Sequence, residues 1–290
     1  MRIAGNRISH IRNFFYSELE NLYGREETEA LLKTTLHHYL GFSSTDVVTR
    51  SEENVNQSDL LKLYNCAKAL RKGIPLQYIL GVAEFYNLNF KVNPDVLIPR
   101  PETEELVDRV IRENAEAAQI LDIGTGSGCI PVSIKKNIPS ARVYCCDIST
   151  KAIGVARENA RMNGVNVEFF TADALQPETI SKQLAEKMDV IVSNPPYILE
   201  DEKSEMAPHV TDHEPHLALF VGGKDPVIFY RRIIDLCRVQ LNNRGRLYFE
   251  LNPLTAETVS EYARGTGMFE KAELLKDMSG ATRFMTATKK

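Results

Sequence analysis

The chain lacks the marks of several protein classes. Its five cysteines (Cys66, Cys129, Cys145, Cys146 and Cys237) are an odd number with no CxxC pair. That is a poor disulfide framework and a poor zinc site, and it points to a reducing, cytoplasmic setting. No apolar run reaches the roughly 20 residues that span a bilayer. Arg2, Arg7 and Arg12 near the start are followed by no sustained hydrophobic stretch, so neither a membrane anchor nor an export signal is expected. Positive charge is in no excess: 35 basic residues face 39 acidic ones, a net of -4. This argues against stable, backbone-driven nucleic-acid binding, which draws on a concentrated basic surface. There is no internal repeat and no low-complexity tract. What remains is a 290-residue chain, 43% hydrophobic, long enough for about two domains with a sizeable core.

The first part reads as helices. Ile8, Ile11, Phe14, Phe15, Leu19 and Leu22 recur at helical spacing, as do Ala30, Leu31, Thr34, Thr35 and Tyr39. Ser58-Asp59 before Leu60, Leu61, Leu63, Tyr64, Ala67 and Leu70 predicts a capped third segment, stopped by Gly73 and Pro75. A helical domain over residues 1–74 follows. Residues 75–101 form a connector: Phe85-Tyr86 and Leu88, Phe90, Val92 alternate around Asn87 and Asn89 as a short hairpin, and Pro99 and Pro101 resist regular structure. The helical pattern resumes at Glu104.

Over residues 102–290 strand and helix signals alternate. Apolar runs at 120–123, 143–146, 167–170 and 190–193 end at Gly124, Asp147, Asp173 and Asn194. Helical stretches separate them, including 150–163. A strand at 245–251, a helix at 256–264 and two closing strands near 271–275 and 283–288 complete the pattern. This predicts an α/β fold with a parallel, doubly wound sheet and an antiparallel pair at one edge.

Ligands of such sheets collect at the carboxyl ends of the strands, where the four polar residues just named stand. Gly124-Thr125-Gly126-Ser127-Gly128 turns the backbone tightly and brings it close to a ligand. The spacing differs from the dinucleotide G-x-G-x-x-G and from the phosphate-binding lysine loop. Asp147, 19 residues beyond Gly128, can accept both hydroxyls of a ribose, or simply cap the helix after it. Asp173 can accept an adenine amino group or cap a turn. Absence of a second phosphate-binding feature favours S-adenosyl-L-methionine over a dinucleotide, because a sulfonium needs none.

Asn194-Pro195-Pro196-Tyr197 follows an apolar strand directly. The prolines fix φ, remove two N–H donors and leave rigid carbonyl acceptors. The Asn194 side-chain oxygen and the Pro195 carbonyl can together accept both hydrogens of one planar NH2 group, with the Tyr197 ring facing the charge that develops on nitrogen. A conjugated nitrogen is a poor nucleophile, and fixed acceptors around its hydrogens raise its electron density in the transition state.

These residues resemble class I amino-methyltransferases. Leu97-Ile98-Pro99-Arg100-Pro101-Glu102-Thr103-Glu104 narrows the likeness, being similar to the IPRPETE signature of the HemK/PrmC family, the peptide chain release factor N5-glutamine methyltransferases. His213-Glu214-Pro215-His216-Leu217-Ala218-Leu219-Phe220 with Gly222-Gly223 resembles another family segment, and Glu250 matches its acidic strand. The resemblance implies a Rossmann-like, seven-stranded sheet with an antiparallel last pair, and a small helical N-terminal domain that recognises class I release factors. It implies methylation of the glutamine in their Gly-Gly-Gln loop. A monomer is expected, though no residue pattern points to it. Gly124, Thr125, Gly126, Ser127, Gly128, Asp147, Asp173, Ala174 and Asn194 would contact S-adenosyl-L-methionine, with Arg100, Pro101, Glu102 and Thr103 closing over it. Asn194, Pro195, Pro196 and Tyr197 would hold the glutamine amide, and Phe90 would border its pocket. Two positions depart from the family pattern: Asn252-Pro253 after Glu250, and Pro226 where glycine is usual.

A DNA or RNA adenine N6-methyltransferase is the rival reading, since a flipped adenine presents the same NH2 group. The acidic net charge opposes it. A non-catalytic S-adenosylmethionine-binding scaffold would not need the acceptors of residues 194–197. His209, His213 and His216 have spacing that suggests a metal, but Pro208 and Pro215 break the helix such a site would use.

Overall fold

A computed structural model describes residues 5–199, 212–223 and 225–290. They divide into two compact units: the first runs to Gly81 and also takes 212–213, and the second begins at Val82 and resumes at Glu214.

In the first unit, α1 (Ile8–Leu40) is two helical arms broken at Gly24, whose φ of 77° and ψ of 171° are not helical. The first arm buries Ile8, Ile11, Phe15 and Leu19 at intervals of three and four; the second buries Leu31, Leu32, Thr35 and Leu36. The expected stripe differs at its edges. Leu22, just before the break, is 61% exposed, and Ala30 and Thr34 also face solvent, because the break resets the phase of the second arm. A short α2 (Ser44–Thr49) leads to α3 (Gln57–Leu70). The cap of α3 is Asn56 rather than Ser58-Asp59: the Asn56 side-chain oxygen accepts the Asp59 N–H at 2.9 Å. This satisfies one of the donors that the first turn leaves free. Leu63, Cys66, Ala67 and Leu70 face the α1 side chains in one apolar cluster, each large side chain contributing about 1.5–3 kcal/mol by its burial. Buried Glu18 accepts from Lys68 and Arg71 at 2.9 and 2.8 Å, which ties α1 to α3. Helix α4 (Leu76–Leu80) closes the unit at Gly81.

The second unit opens with a hairpin, β1 (Val82–Phe85) and β2 (Leu88–Lys91). Tyr86 and Asn87 in its turn both have positive φ, as tight two-residue hairpins require. Next, α5 spans Pro101–Glu113. The helix therefore begins three residues before Glu104, inside the segment expected to be a connector. Proline at the first helical position loses no hydrogen bond, and its fixed φ suits the helix.

Alternating elements then build the sheet: β3 (Gln119–Ile123), α6 (Cys129–Asn137), β4 (Arg142–Asp147), α7 (Thr150–Met162), β5 (Glu168–Thr171), α8 (Pro177–Ser181) and β6 (Met188–Ser193). Among the described residues there follow α9 (His216–Leu219), α10 (Ile228–Gln240), β7 (Leu241–Glu250), α11 (Ala256–Gly265), β8 (Phe269–Lys276) and β9 (Thr282–Lys289). The seven strands lie in the order β5-β4-β3-β6-β7-β9-β8, with β9 antiparallel to both neighbours. This is the α/β sheet with an antiparallel last pair that the sequence pattern predicts. Alternation along the strands feeds two cores. Leu121, Ile123, Tyr144, Cys146, Leu247 and Phe249 pack with α10 and α11; Ile120, Val143, Cys145, Val190, Val192 and Tyr248 pack with α5 and α6. The adjacent thiols of Cys145 and Cys146 thus face opposite layers, both buried and unpaired. At the departure after β7, the Asn252 side chain accepts the Leu254 N–H at 3.0 Å, making a turn without glycine. No helix among the described residues is long and apolar enough to cross a membrane.

Candidate active site

Strand connections run one way from β3 through β4 and β5 and the other way from β6, so the strand order reverses between β3 and β6. That crevice is where a sheet of this kind holds its ligands. Gly124 lies at the tip of β3 and Asn194 at the tip of β6, joined beneath by the buried Ser193 hydroxyl, which donates to the Ile123 carbonyl at 2.6 Å. Asp147 ends β4 on one side and Glu250 ends β7 on the other.

The glycine turn has φ of 79°, 53° and 80° at Gly124, Gly126 and Gly128. Gly124 and Thr125 N–H groups both donate to the Cys146 carbonyl, at 2.9 and 3.1 Å. The Asp147 carboxylate accepts from Gly126 N–H at 2.9 Å and Ser149 N–H at 2.8 Å, so it braces the turn, while Ser149 caps α7. Burial raises the Asp147 pKa despite those donors. Gly128 fits closely: a Cβ there would stand 2.9 Å from the Ala156 Cβ, whereas one on Gly126 would meet nothing within 4 Å. The turn is thus packed on one side and open on the other. Beneath it Asp122 is fully buried, with Thr125 beside its carboxyl. Burial pushes the Asp122 carboxyl up to about 7. Open space over the bare backbone at Gly126 suits a ligand of the S-adenosyl-L-methionine kind. Asp173 serves a local turn, accepting from Leu175 N–H at 2.8 Å and the Gln176 side chain at 2.9 Å; Ala174 packs against the core.

Residues 194–197 leave β6 without helix or strand geometry. Asn194 is half-buried rather than sunk in the core, and its backbone oxygen lies 3.9 Å from where a Cβ on Gly124 would be, so this turn and the glycine turn adjoin. Pro195 is buried; Pro196 and Tyr197 are half-buried. Tyr197 packs against the core, and burial together with nearby Glu250 pushes its hydroxyl up to about 12. The far end of the turn is pinned by two backbone bonds, Ile198 N–H to Leu219 and Val221 N–H to Ile198.

The first turn of α5 completes the site. The Thr103 hydroxyl donates to Glu250 at 2.7 Å, and the Asn194 side-chain NH2 donates to the Thr103 oxygen at 3.3 Å. Burial pushes the Glu250 carboxyl up to about 7, against the pull of Thr103 and Arg283. Arg100 donates to Glu214 at 2.5 Å, and the other Glu214 oxygen accepts the Ile98 N–H at 3.2 Å. That carboxylate, 1% exposed, anchors the segment carrying Pro101 and Glu102. Phe90 is wholly buried and edge-on to Phe85. His209 lies outside the described residues. Pro215 caps the short helix that begins at His216.

The sequence does not announce Asn159, nor the contacts made by Thr103, Glu250 and Glu214. Asn159, buried within α7, exchanges hydrogen bonds with the Lys91 backbone and donates to the Ser127 carbonyl at 2.8 Å, locking the hairpin to the glycine turn. A polar residue on the apolar face of α7 is the only local signal. The Thr103–Glu250 pair and the anchoring role of Glu214 span 147 and 116 residues of chain, so no local pattern announces them.

Comparison with known proteins agrees with this geometry. A PrmC N-terminal domain model matches residues 11–81, and a methyltransferase small domain model matches residues 102–249. The chain is 40% identical to the release factor glutamine methyltransferase of Bacteroides thetaiotaomicron, covering 97% of this chain and 100% of that one. It is 39% identical to the protein of the same name from Flavobacterium psychrophilum, covering 96% and 98%. Among solved structures, a methyltransferase from Pyrococcus furiosus shares the fold, with a TM-score of 0.53 at 17% identity over 80% of this chain and 98% of that one. With its strand tips, glycine turn and two matched domains read together, the chain belongs to the release factor glutamine methyltransferase family.

Proposed function

We propose that this protein transfers a methyl group from S-adenosyl-L-methionine to the side-chain N5 of the glutamine in the Gly-Gly-Gln motif of class I peptide chain release factors. The observation that carries the reading is the half-buried Asn194 amide, tethered through its NH2 end beside an open glycine turn. S-adenosyl-L-methionine supplies an electrophilic methyl on sulfur. The bare backbone of residues 124–128 and the Asp147 carboxylate would hold it, with the turn at Asp173 and Ala174 and the segment 100–103 at its borders.

The protein's own part is to make an amide nitrogen reactive. The Asn194 side-chain oxygen and the Pro195 carbonyl accept the two N–H bonds of the glutamine. Each gains strength as positive charge grows on nitrogen, so they favour the transition state over the ground state. Tyr197 offers a π face to the same charge. Rigid placement adds a proximity contribution that reaches roughly 7–11 kcal/mol in well-oriented systems. The surplus proton leaves to water after transfer, so no strong base is needed. We assign release factor recognition to the helical unit, and the buried free thiols fit work in the cytoplasm.

The test is incubation with labelled S-adenosyl-L-methionine and three acceptors: a release factor, its Gln→Ala tip-loop variant, and duplex DNA. Label on the native release factor alone is the expected result. Label on the Gln→Ala variant, or on DNA as an adenine methyltransferase would give, refutes it.

A further inference from the structure

We infer that Thr103 and Glu250 are positioning residues that determine which end of the Asn194 amide faces the substrate. The inference rests on the reading that Asn194 holds the glutamine NH2.

An asparagine amide has an acceptor end and a donor end of nearly the same shape. Only the oxygen can serve an NH2 substrate; the reversed amide would set N–H against N–H. Something must therefore break the symmetry, and a hydroxyl does so only if its own proton is committed. Thr103 has one proton, and it goes to Glu250 at 2.7 Å. Its oxygen can then only accept, and what it accepts is the Asn194 NH2 at 3.3 Å. The Asn194 oxygen is left for the other side. This logic follows from proton count and holds whichever way the amide is drawn.

The device is built rigidly. Thr103 is 3% exposed in the first turn of α5, and Glu250 is 2% exposed at the tip of β7. Glu250 is faced by Arg283 of β9, Glu102 and Thr103 of α5, and Asn194 and Tyr197 of the turn after β6. The Tyr230 hydroxyl of α10 holds the Glu250 backbone carbonyl at 3.0 Å. The carboxylate form is what directs the Thr103 proton. Once protonated, Glu250 can donate to Thr103, which frees the hydroxyl to donate to the Asn194 oxygen and turns the amide round. With the Glu250 carboxyl held near 7, turnover falls as pH drops below that value, while binding of both substrates persists.

The experiment compares Thr103→Val, Thr103→Ser, Glu250→Gln and Asn194→Ala for kcat on a release factor, for its KM, and for calorimetric affinity toward S-adenosyl-L-methionine. Thr103→Val should lower kcat by about ten- to a hundred-fold, with the KM for the release factor unchanged. Thr103→Ser, which keeps the hydroxyl, should restore it. Glu250→Gln should abolish the acid limb of the wild-type pH profile. Wild-type kcat in Thr103→Val beside an inactive Asn194→Ala overturns the inference and leaves the reading of Asn194 standing. No rescue by serine also overturns it. An active Asn194→Ala overturns the reading itself.

Discussion

Replacing Gly128 by alanine should destabilise the methyltransferase unit by roughly 2–5 kcal/mol, through two separable causes. Gly128 has φ 80° and ψ 12° where α6 begins. An L residue in that left-handed conformation costs about 1–2 kcal/mol. The new methyl would also stand 2.9 Å from the Ala156 Cβ and 3.1 Å from its Cα. Ala156 is fully buried in α7, and neither atom is the far end of a flexible chain, so α6 and α7 must move apart. Such overpacking typically costs about 1–3 kcal/mol. Urea denaturation at constant slope reads the loss as a lower midpoint. The double variant Gly128→Ala with Ala156→Gly should recover the overpacking share but not the backbone strain, giving a favourable coupling between the two sites. Gly126→Ala is the contrast. Its φ is 53° and its methyl would meet nothing, so it should cost about 1 kcal/mol of stability and instead weaken S-adenosyl-L-methionine binding by filling the open side of the turn. A wild-type midpoint in Gly128→Ala, or full rescue by the double variant, refutes the reasoning.

Other expectations follow from the same contacts. Glu214→Ala leaves the Arg100 charge and the Ile98 N–H without their acceptor; a loss of about 2–4 kcal/mol should appear as a lower thermal midpoint, and an unchanged midpoint would make the pair incidental. Asn159→Ala frees the hairpin from the glycine turn, and hydrogen exchange at residues 88–91 should quicken; unchanged exchange would deny the link. Glu250 binds its proton more tightly in the folded protein, since burial lifts its carboxyl to about 7 from its ordinary 4.5. Its contribution to stability is therefore full below pH 4.5 and lost as pH rises through 7, by at most about 3 kcal/mol. Glu250→Gln should remove that loss, so the stability gap between variant and wild type shifts in the variant's favour from pH 5 to pH 8. A gap that moves the other way would contradict the assignment.

Much of the sheet was legible because its signals are local. Apolar runs such as 120–123 and 190–193 each end at a polar residue, and their alternation with helical stretches dictates a parallel sheet whose tips adjoin. The glycine turn and residues 194–197 could be found for the same reason. Less local features were hidden. The break at Gly24 looks in sequence like an ordinary helix interruption, yet it changes which side chains of the second arm are buried. The start of α5 was obscured because proline reads as a helix breaker although it is at home in the first turn. The Asn194–Thr103–Glu250 chain joins residues far apart in sequence, and only folding brings them within hydrogen-bond distance.

The central claim is that the oxygens of Asn194 and Pro195 act on the glutamine amide and not on the cofactor's grip. Single-turnover methylation and calorimetry on Asn194→Ala test it together. The account predicts that transfer to the release factor is abolished while S-adenosyl-L-methionine binds with nearly native affinity. Retained transfer, or cofactor affinity lost in parallel with it, would contradict the account.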